Sequence, residues 1–254
     1  MEVLQPDSVR DEAFLETLRA VQAELFLVVS YGELLRQEFL DIPPKGSLNV
    51  HPSLLPRHRG ATPVPNAILS GDRVTGTSLQ RVVLALDAGD VLAQRETPIE
   101  TGETAGELLM RLAELSSEMV LEALDQVEGG SAVYTPQDPA LVTHCRKLEK
   151  ADGWIDWTRP ASELVNHVHG MNPWPSAQTK LPDGVDVRLH RARLAEGQGE
   201  PGTILDCKGQ WTIACGQGAL EVLELQVAGK RAMPAADYLL GARWSPGQRL
   251  GELS

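Results

Sequence analysis

Asn49 and His51 flank Val50 in SLNVHPS, residues 47–53. This apolar-rich run follows the turn residues Ile42-Pro43-Pro44-Lys45-Gly46 and reads as a β-strand. Residues two apart on a strand face the same side, so a carboxamide and an imidazole would project together from one strand end. A carboxylate, Asp87, stands just after another strand-like run, beside the tight Ala88-Gly89 turn of LDAGDVL. Open α/β sheets bind their ligands at the carboxyl ends of strands. An amide, an imidazole and a carboxylate gathered there suit acyl transfer or hydrolysis. The imidazole would move protons, the carboxylate would orient and charge it, and the amide would donate to a developing oxyanion. Each signal alone has a plainer reading. Asn-x-His on a strand is more often structural, and an Asp before Ala-Gly commonly accepts turn N–H groups. Arg57-His58-Arg59 alone would be a solvated loop, and His144, His167, His169 and His190 carry no partner pattern. The residues by themselves lead to a candidate acyl-transfer or hydrolytic α/β enzyme.

The elements that must position these groups alternate. Residues 23–32, 47–53, 77–84 and 91–99 read as strands, the first of them as a buried parallel strand. Phe14, Leu15, Leu18 and Val21 share one face of a helix over residues 12–23. Leu108, Leu109, Leu112, Leu115, Met119 and Leu124 form the stripe of a long helix over 105–130, which Gly129-Gly130 ends. Strands alternating with helices predict an α/β fold. The pattern then changes. Residues 131–148 carry Thr-Pro-Gln-Asp-Pro without periodicity and suit a linker. Beyond 149, one helix (161–171) precedes short strands punctuated by Pro182-Asp183-Gly184, Pro201-Gly202, Lys208-Gly209 and Pro246-Gly247, which predicts a small β-barrel. The expected division is 1–130, a linker at 131–148, and 149–254.

The chain has 254 residues and a formal net charge of −12. The acidic excess lies almost wholly in residues 1–148. Residues 149–254 hold 11 Lys and Arg against 13 Asp and Glu, with a local cluster of Lys180, Arg188, Arg191 and Arg193 that could meet RNA phosphates. No apolar run is long enough to cross a bilayer, and the first residues lack the basic and apolar regions of a signal peptide. Three cysteines, Cys145, Cys207 and Cys215, fit a reduced compartment better than a disulfide framework. His144-Cys145 lacks a second pair at ligand spacing, so no metal is expected.

NVHPSLLPRHRGATP (49–63) resembles the signature loop of the folate-dependent formyltransferases, and GTSLQRVVLALDAGD (76–90) resembles their second signature, closing in L-D-x-G. Three further passages are similar to the branch of that family acting on methionyl-tRNA. They are the Arg-x-Arg-Gly-Ala-Thr-Pro continuation, residues 153–177 with Asn172-Pro173-Trp174-Pro175, and the stretches from Pro201 to Gly251. The resemblance implies Asn49, His51 and Asp87 as the catalytic set and Ser53, Leu54, Leu55 and Pro56 as the folate-binding loop, with the pteridine side near residues 31–35. It implies a Rossmann-like domain followed by an OB-like β-barrel that binds tRNA together with the Arg57-His58-Arg59 loop. The expected reaction is formyl transfer from 10-formyltetrahydrofolate to the amino group of initiator Met-tRNA, in the cytoplasm, by a monomer that needs neither metal nor membrane. The alternatives are a formyltransferase for a small amine, or an inactive truncated product with residual RNA binding. Two departures stand out. His58 replaces a customary aromatic residue, and Gln80-Arg81-Val82-Val83 replaces a Met-Gln-Met-type run, changes expected to bear on packing and tRNA contact. The resemblance further implies that about sixty residues are absent before Met1, taking about 30 per βα unit. Residues 3–5 would then be a strand parted from residues 25–30 by a gap of about 10 Å at the usual strand spacing.

Overall fold

The computed structural model describes residues 3–251. The chain divides into two units. The first comprises the residues up to Pro63, Val74–Pro98 and Arg111–Arg146. The second comprises Val64–Arg73, Ile99–Met110 and the chain from Lys147 onward. The stretch expected to be a linker therefore belongs almost entirely to the first unit.

In the first unit, α1 (Glu12–Val21) starts where Asp11 accepts from the Ala13 N–H and ends at Gln22, which has a left-handed φ of 55°. It is followed by β1 (Phe26–Val29), the single turn α2 (Gln37–Leu40), β2 (Ser47–His51) and the short β3 (Arg59–Gly60). After α3 (Pro63–Leu69), which belongs to the second unit but for Pro63, come β4 (Val74–Arg81), β5 (Val91–Pro98), the long helix α4 (Ala105–Glu128), in this unit from Arg111 onward, and β6 (His144–Cys145). The main sheet runs β1-β2-β4-β5. Only β1 and β2 are parallel; β2–β4 and β4–β5 are antiparallel. Met119, Val120 and Ala123 of α4 pack with Leu48 of β2 and Leu79 of β4. That spacing is helical, and Leu109, expected on the stripe, is 47% exposed instead.

The strand expected at residues 3–5 is not formed. Val3, Leu4 and Gln5 join no sheet, and Met1 and Glu2 lie outside the described residues. Among the described residues β1 is an edge strand, with Leu27 and Val29 substantially exposed. The expected gap between two strands therefore has no counterpart here.

The second unit carries α5 (Ala161–Gly170), β7 (Ala177–Lys180), β8 (Asp186–Ala195), β9 (Ile204–Asp206), β10 (Trp211–Ala214), β11 (Ala219–Val227), β12 (Met233–Pro234) and α6 (Ala235–Gly241). Its sheet is antiparallel, ordered β7-β8-β11-β10-β9, and β12 pairs β11 beyond the reach of β10. Leu164 and Val168 of α5 join Leu189, Ile213, Leu220 and Trp211 in its core. The tail closes the curl. Ile204 N–H donates to Gln248 O and Leu250 N–H to Gly202 O on the β9 side, while Gly251 N–H donates to Lys180 O on β7. Pro246-Gly247 thus opens a segment that bridges the two edge strands, and the barrel expected from short strands is completed by backbone that is not itself a strand.

Two buried histidines should make this unit acid-sensitive. The His169 Nε2 accepts from the Ala192 N–H at 3.3 Å, so its neutral ring carries the proton on Nδ1. Burial, and then Arg191, depress the value of His169; burial is also the main cause for His167. A histidine whose folded value is depressed stabilises the fold above its unfolded value, about 6.5, and that contribution is lost as pH falls below it. The unfolding temperature should therefore drop between pH 6.5 and 5.5, and His169→Gln should reduce the slope. Equal melting temperatures at both pH values would refute this.

Candidate active site

β2 delivers Asn49 and His51 from the same face. Across β4 they stand opposite Gln80 and Ser78. His51 is 4% exposed. Its Nε2–H donates to the His58 carbonyl at 3.0 Å, and its Nδ1 lies 3.6 Å from Asp87 Oδ1. The donor fixes the tautomer. With Nε2 protonated, a neutral ring turns its Nδ1 lone pair toward the carboxylate, and the separation is just beyond a direct hydrogen bond. Burial pushes the His51 value down; Asp87 and the His58 carbonyl pull it up, and His58 as a neighbouring basic group lowers it. The net direction is downward, so the expected rise caused by Asp87 is outweighed by desolvation.

Asp87 sits at a left-handed φ of 50°. Its Oδ2 accepts from the Gly60 N–H at 2.8 Å and its Oδ1 from Gln80 Nε2 at 3.1 Å. Gln80, expected to matter for packing and tRNA, instead holds the carboxylate. The Asn49 carboxamide has no hydrogen-bond partner among the described residues and lines an open cleft of about 530 Å³, solvent at its mouth included. Tyr31, Leu34, Leu35, Leu84 and Leu86 supply apolar walls, with Gln80 and Asp87 as polar ones.

Ser53, Leu54, Leu55 and Pro56 do not line this cleft. Ser53 is fully buried, and its hydroxyl donates to Arg57 O at 2.6 Å. Ser78 Oγ donates to Ser53 O and accepts from Leu55 N–H, and Gln94 Nε2 reaches both Ser78 and Leu55 O. This loop is sewn to β4 and β5, and it places His58, whose carbonyl meets His51. The segment at 31–35, by contrast, does reach the cleft. No group of three His, Cys, Asp or Glu among the described residues is disposed to hold a metal.

The model of the family described as "Formyl transferase" matches residues 1–124, and that of "Formyl transferase, C-terminal domain" matches 147–243. The chain belongs to the formyltransferase family. A "Methionyl-tRNA formyltransferase" of Bradyrhizobium sp. strain BTAi1 is 43% identical over 98% of this chain and 80% of its own length. One from Citrifermentans bemidjiense is 41% identical with 98% and 79% covered. HypX from Aquifex aeolicus in complex with tetrahydrofolic acid superposes with a TM-score of 0.68 at 25% identity, over 89% of this chain and 40% of that one. WlaRD, a sugar 3N-formyl transferase, shares the fold at a TM-score of 0.65 and 16% identity, over 84% and 77%.

Other parts of the formyltransferase signature turn out to be structural. Asn172, of Asn172-Pro173-Trp174-Pro175, donates from Nδ2 to His190 O at 2.9 Å, and its backbone carbonyl accepts from Gly106 N–H at 3.0 Å. The cations expected to face tRNA are largely engaged by carboxylates. Arg188, Arg191 and Arg193 do lie on the outward side of β8, but Lys180 pairs with Asp186 at 2.7 Å, Arg193 with Glu221 at 2.7 Å, and Arg191 with Glu107 and Glu224. Three of the four cations are thus paired with carboxylates, two of them with partners remote in sequence. No helix of the described residues is long and apolar enough to cross a membrane.

Proposed function

We propose that this formyltransferase moves a formyl group from 10-formyltetrahydrofolate to the α-amino group of initiator Met-tRNA, with Asn49, His51 and Asp87 as its catalytic set. The observation that carries the reading is the unpartnered Asn49 amide at the cleft, on the same strand face as His51 and opposite Gln80, whose side chain holds Asp87. Likeness to "Methionyl-tRNA formyltransferase" over 98% of the chain supports the choice of acceptor. The apolar walls suit a pteridine ring, so residues 31–35 and 82–86 are the better candidates for the donor than Ser53, Leu54, Leu55 and Pro56, which build the fold beneath.

In the reaction the amine nitrogen attacks the formyl carbon, and charge moves to the formyl oxygen. The Asn49 N–H groups donate to that oxyanion. His51, kept neutral by burial, presents Nδ1 as the base that takes the amine proton. Asp87 stabilises the resulting imidazolium. The tetrahedral centre collapses, the C–N bond to the folate nitrogen breaks, and the proton passes to that nitrogen, leaving tetrahydrofolate and formylated Met-tRNA. Metal chemistry is not required by these steps, because the formyl group is already attached to a competent leaving nitrogen.

The deciding assay is formyl transfer by the 254-residue chain to initiator Met-tRNA, with glycinamide ribonucleotide and an amino-sugar nucleotide as competing acceptors. Transfer to the tRNA alone supports the reading; transfer to a small amine alone refutes the acceptor. The pH profile gives a further prediction. A neutral His51 base makes kcat/KM rise with pH through a limb below the ordinary histidine value of about 6.5. Asp87→Asn removes the charge that raises His51, so the limb should move to still lower pH while the rate falls. A limb above pH 6.5 would contradict the base assignment.

A further inference from the structure

Gln137 reaches the site from a stretch of chain with no periodicity. Its Nε2 lies 2.7 Å from Gly89 O, 2.9 Å from Asp87 O and 3.1 Å from Gln80 Oε1, and its Oε1 accepts from Arg59 Nη2 at 2.7 Å and Nε at 3.0 Å. The donor and acceptor inventory allows one arrangement. A guanidinium can only donate, so the Gln137 oxygen must face Arg59. Its NH2 must then face the three acceptors. That turns the Gln80 oxygen toward Gln137, and leaves the Gln80 NH2 to donate to Asp87 Oδ1. Reversing either amide would set oxygen against oxygen and N–H against N–H.

The segment that carries Gln137 is held on both sides. Thr135 and Val91 exchange two backbone hydrogen bonds, Asp138 caps the turn at Pro139–Leu141, and Thr143 receives the Arg59 and His58 N–H groups through its carbonyl and hydroxyl. From the next residue, β6 pairs with β3. Asp87 has a left-handed backbone, which costs a non-glycine residue on the order of 1 kcal/mol and persists only when its surroundings impose it. Gln137 grips that turn at two carbonyls.

We propose that Gln137 is a positioning residue for the transfer: through Gln80 and the Asp87 turn it sets where the carboxylate stands beside His51. The role rests on the functional reading above, but its first consequence can be observed without any reaction. The charged and titratable neighbours of His51 are Asp87, which raises its titration point, and His58, which lowers it. Removing the Gln137 amide releases Asp87 from its place, and His51 loses part of that support.

The experiment compares the parent chain with Gln137→Met, which keeps bulk and loses the amide, and with Gln80→Met on the better-anchored strand β4. Histidine-labelled protein is titrated by NMR, and kcat and KM for formyl transfer are measured on the same samples. The expected result is a fall of about half a pH unit or more in the His51 titration. With it should come a loss of roughly 10- to 100-fold in kcat, as for about 1 Å of misplacement, with KM within about twofold of the parent. The double variant should lose little more than either single one, because both act on one carboxylate. An unmoved His51 titration in folded Gln137→Met and Gln80→Met protein overturns the proposal. So does a loss confined to KM. A shifted titration in a chain that formylates nothing upholds the positioning of Asp87 and overturns the formyl-transfer reading instead.

Discussion

Asn49→Ala should lower kcat for formyl transfer by about 10²- to 10³-fold, or about 2.7–4 kcal/mol of barrier, which is the usual loss when one oxyanion donor is removed. KM for either substrate should change little, because the hydrogen bond strengthens as charge develops rather than on binding. The fold should be nearly indifferent. The Asn49 amide bonds no described residue, and the side chain is only partly buried at the cleft wall. Its removal therefore leaves no orphaned buried partner, the usual origin of a large loss on truncation, and the unfolding free energy should stay within about 1 kcal/mol of the parent. This separates Asn49 from its neighbours. Gln80→Ala breaks a structural network as well as a site, because Gln80 bonds both Asp87 and Gln137. The measurement is paired steady-state kinetics and chemical denaturation. An unchanged kcat, or a loss seen only in KM, would remove the oxyanion role from Asn49 and leave the cleft without its main electrophilic donor.

The contrast between Asn49 and Gln137 shows what the sequence made legible. Asn-x-His on a strand is a local statement: period two puts both side chains on one face, and β2 does so. The closing Asp of L-D-x-G stood beside a recognisable turn, and it comes within reach of His51. The helices were equally local. α4 and α5 end within two residues of where their apolar spacing and terminal glycines placed them. Gln137 was invisible because nothing in Thr-Pro-Gln-Asp-Pro is periodic, and its partners Arg59, Gln80, Asp87 and Gly89 lie between 48 and 78 residues away. The partners of the β8 charges were hidden for the same reason. A basic cluster reads as a phosphate site until Glu107, 84 residues distant, is found paired with Arg191. Strand direction was also beyond local reading, since β4 is continuously buried on both faces, as a parallel strand would be, while it pairs antiparallel with both neighbours. Local pattern located the groups proposed to do the chemistry; the groups that would aim them were set by long-range pairing.

Gly89→Ala should be a severely damaging single methyl group near the site. Gly89 has no left-handed backbone to protect, so its requirement is space. A Cβ there would stand 1.8 Å from Arg81 O and 2.8 Å from its carbonyl carbon. Both are backbone atoms of the strand that carries Gln80, and Arg81 N–H is itself bonded to Asp90 O at 2.9 Å. No side-chain rotation relieves the contact, so the turn must open by more than about 1 Å to restore an ordinary separation. Overpacking of this kind costs about 1–3 kcal/mol. The functional loss should be larger than that strain suggests. Gly89 O and Asp87 O are the carbonyls held by Gln137, so displacing residue 89 drags the turn that presents the Asp87 carboxylate to His51, and about 1 Å there is worth about 10² in rate. Loss of Asp87 Oδ2 from the Gly60 N–H would compound it. The expected result is a kcat at least about 100-fold below the parent in protein that still folds cooperatively at 15 °C. Gly241→Ala is the control, since a Cβ there meets nothing within 4 Å, and it should leave both rate and stability alone. If Gly89→Ala transfers formyl groups at the parental rate, the turn tolerates movement, and Asp87 does not act from the position in which Gln80 and Gln137 hold it.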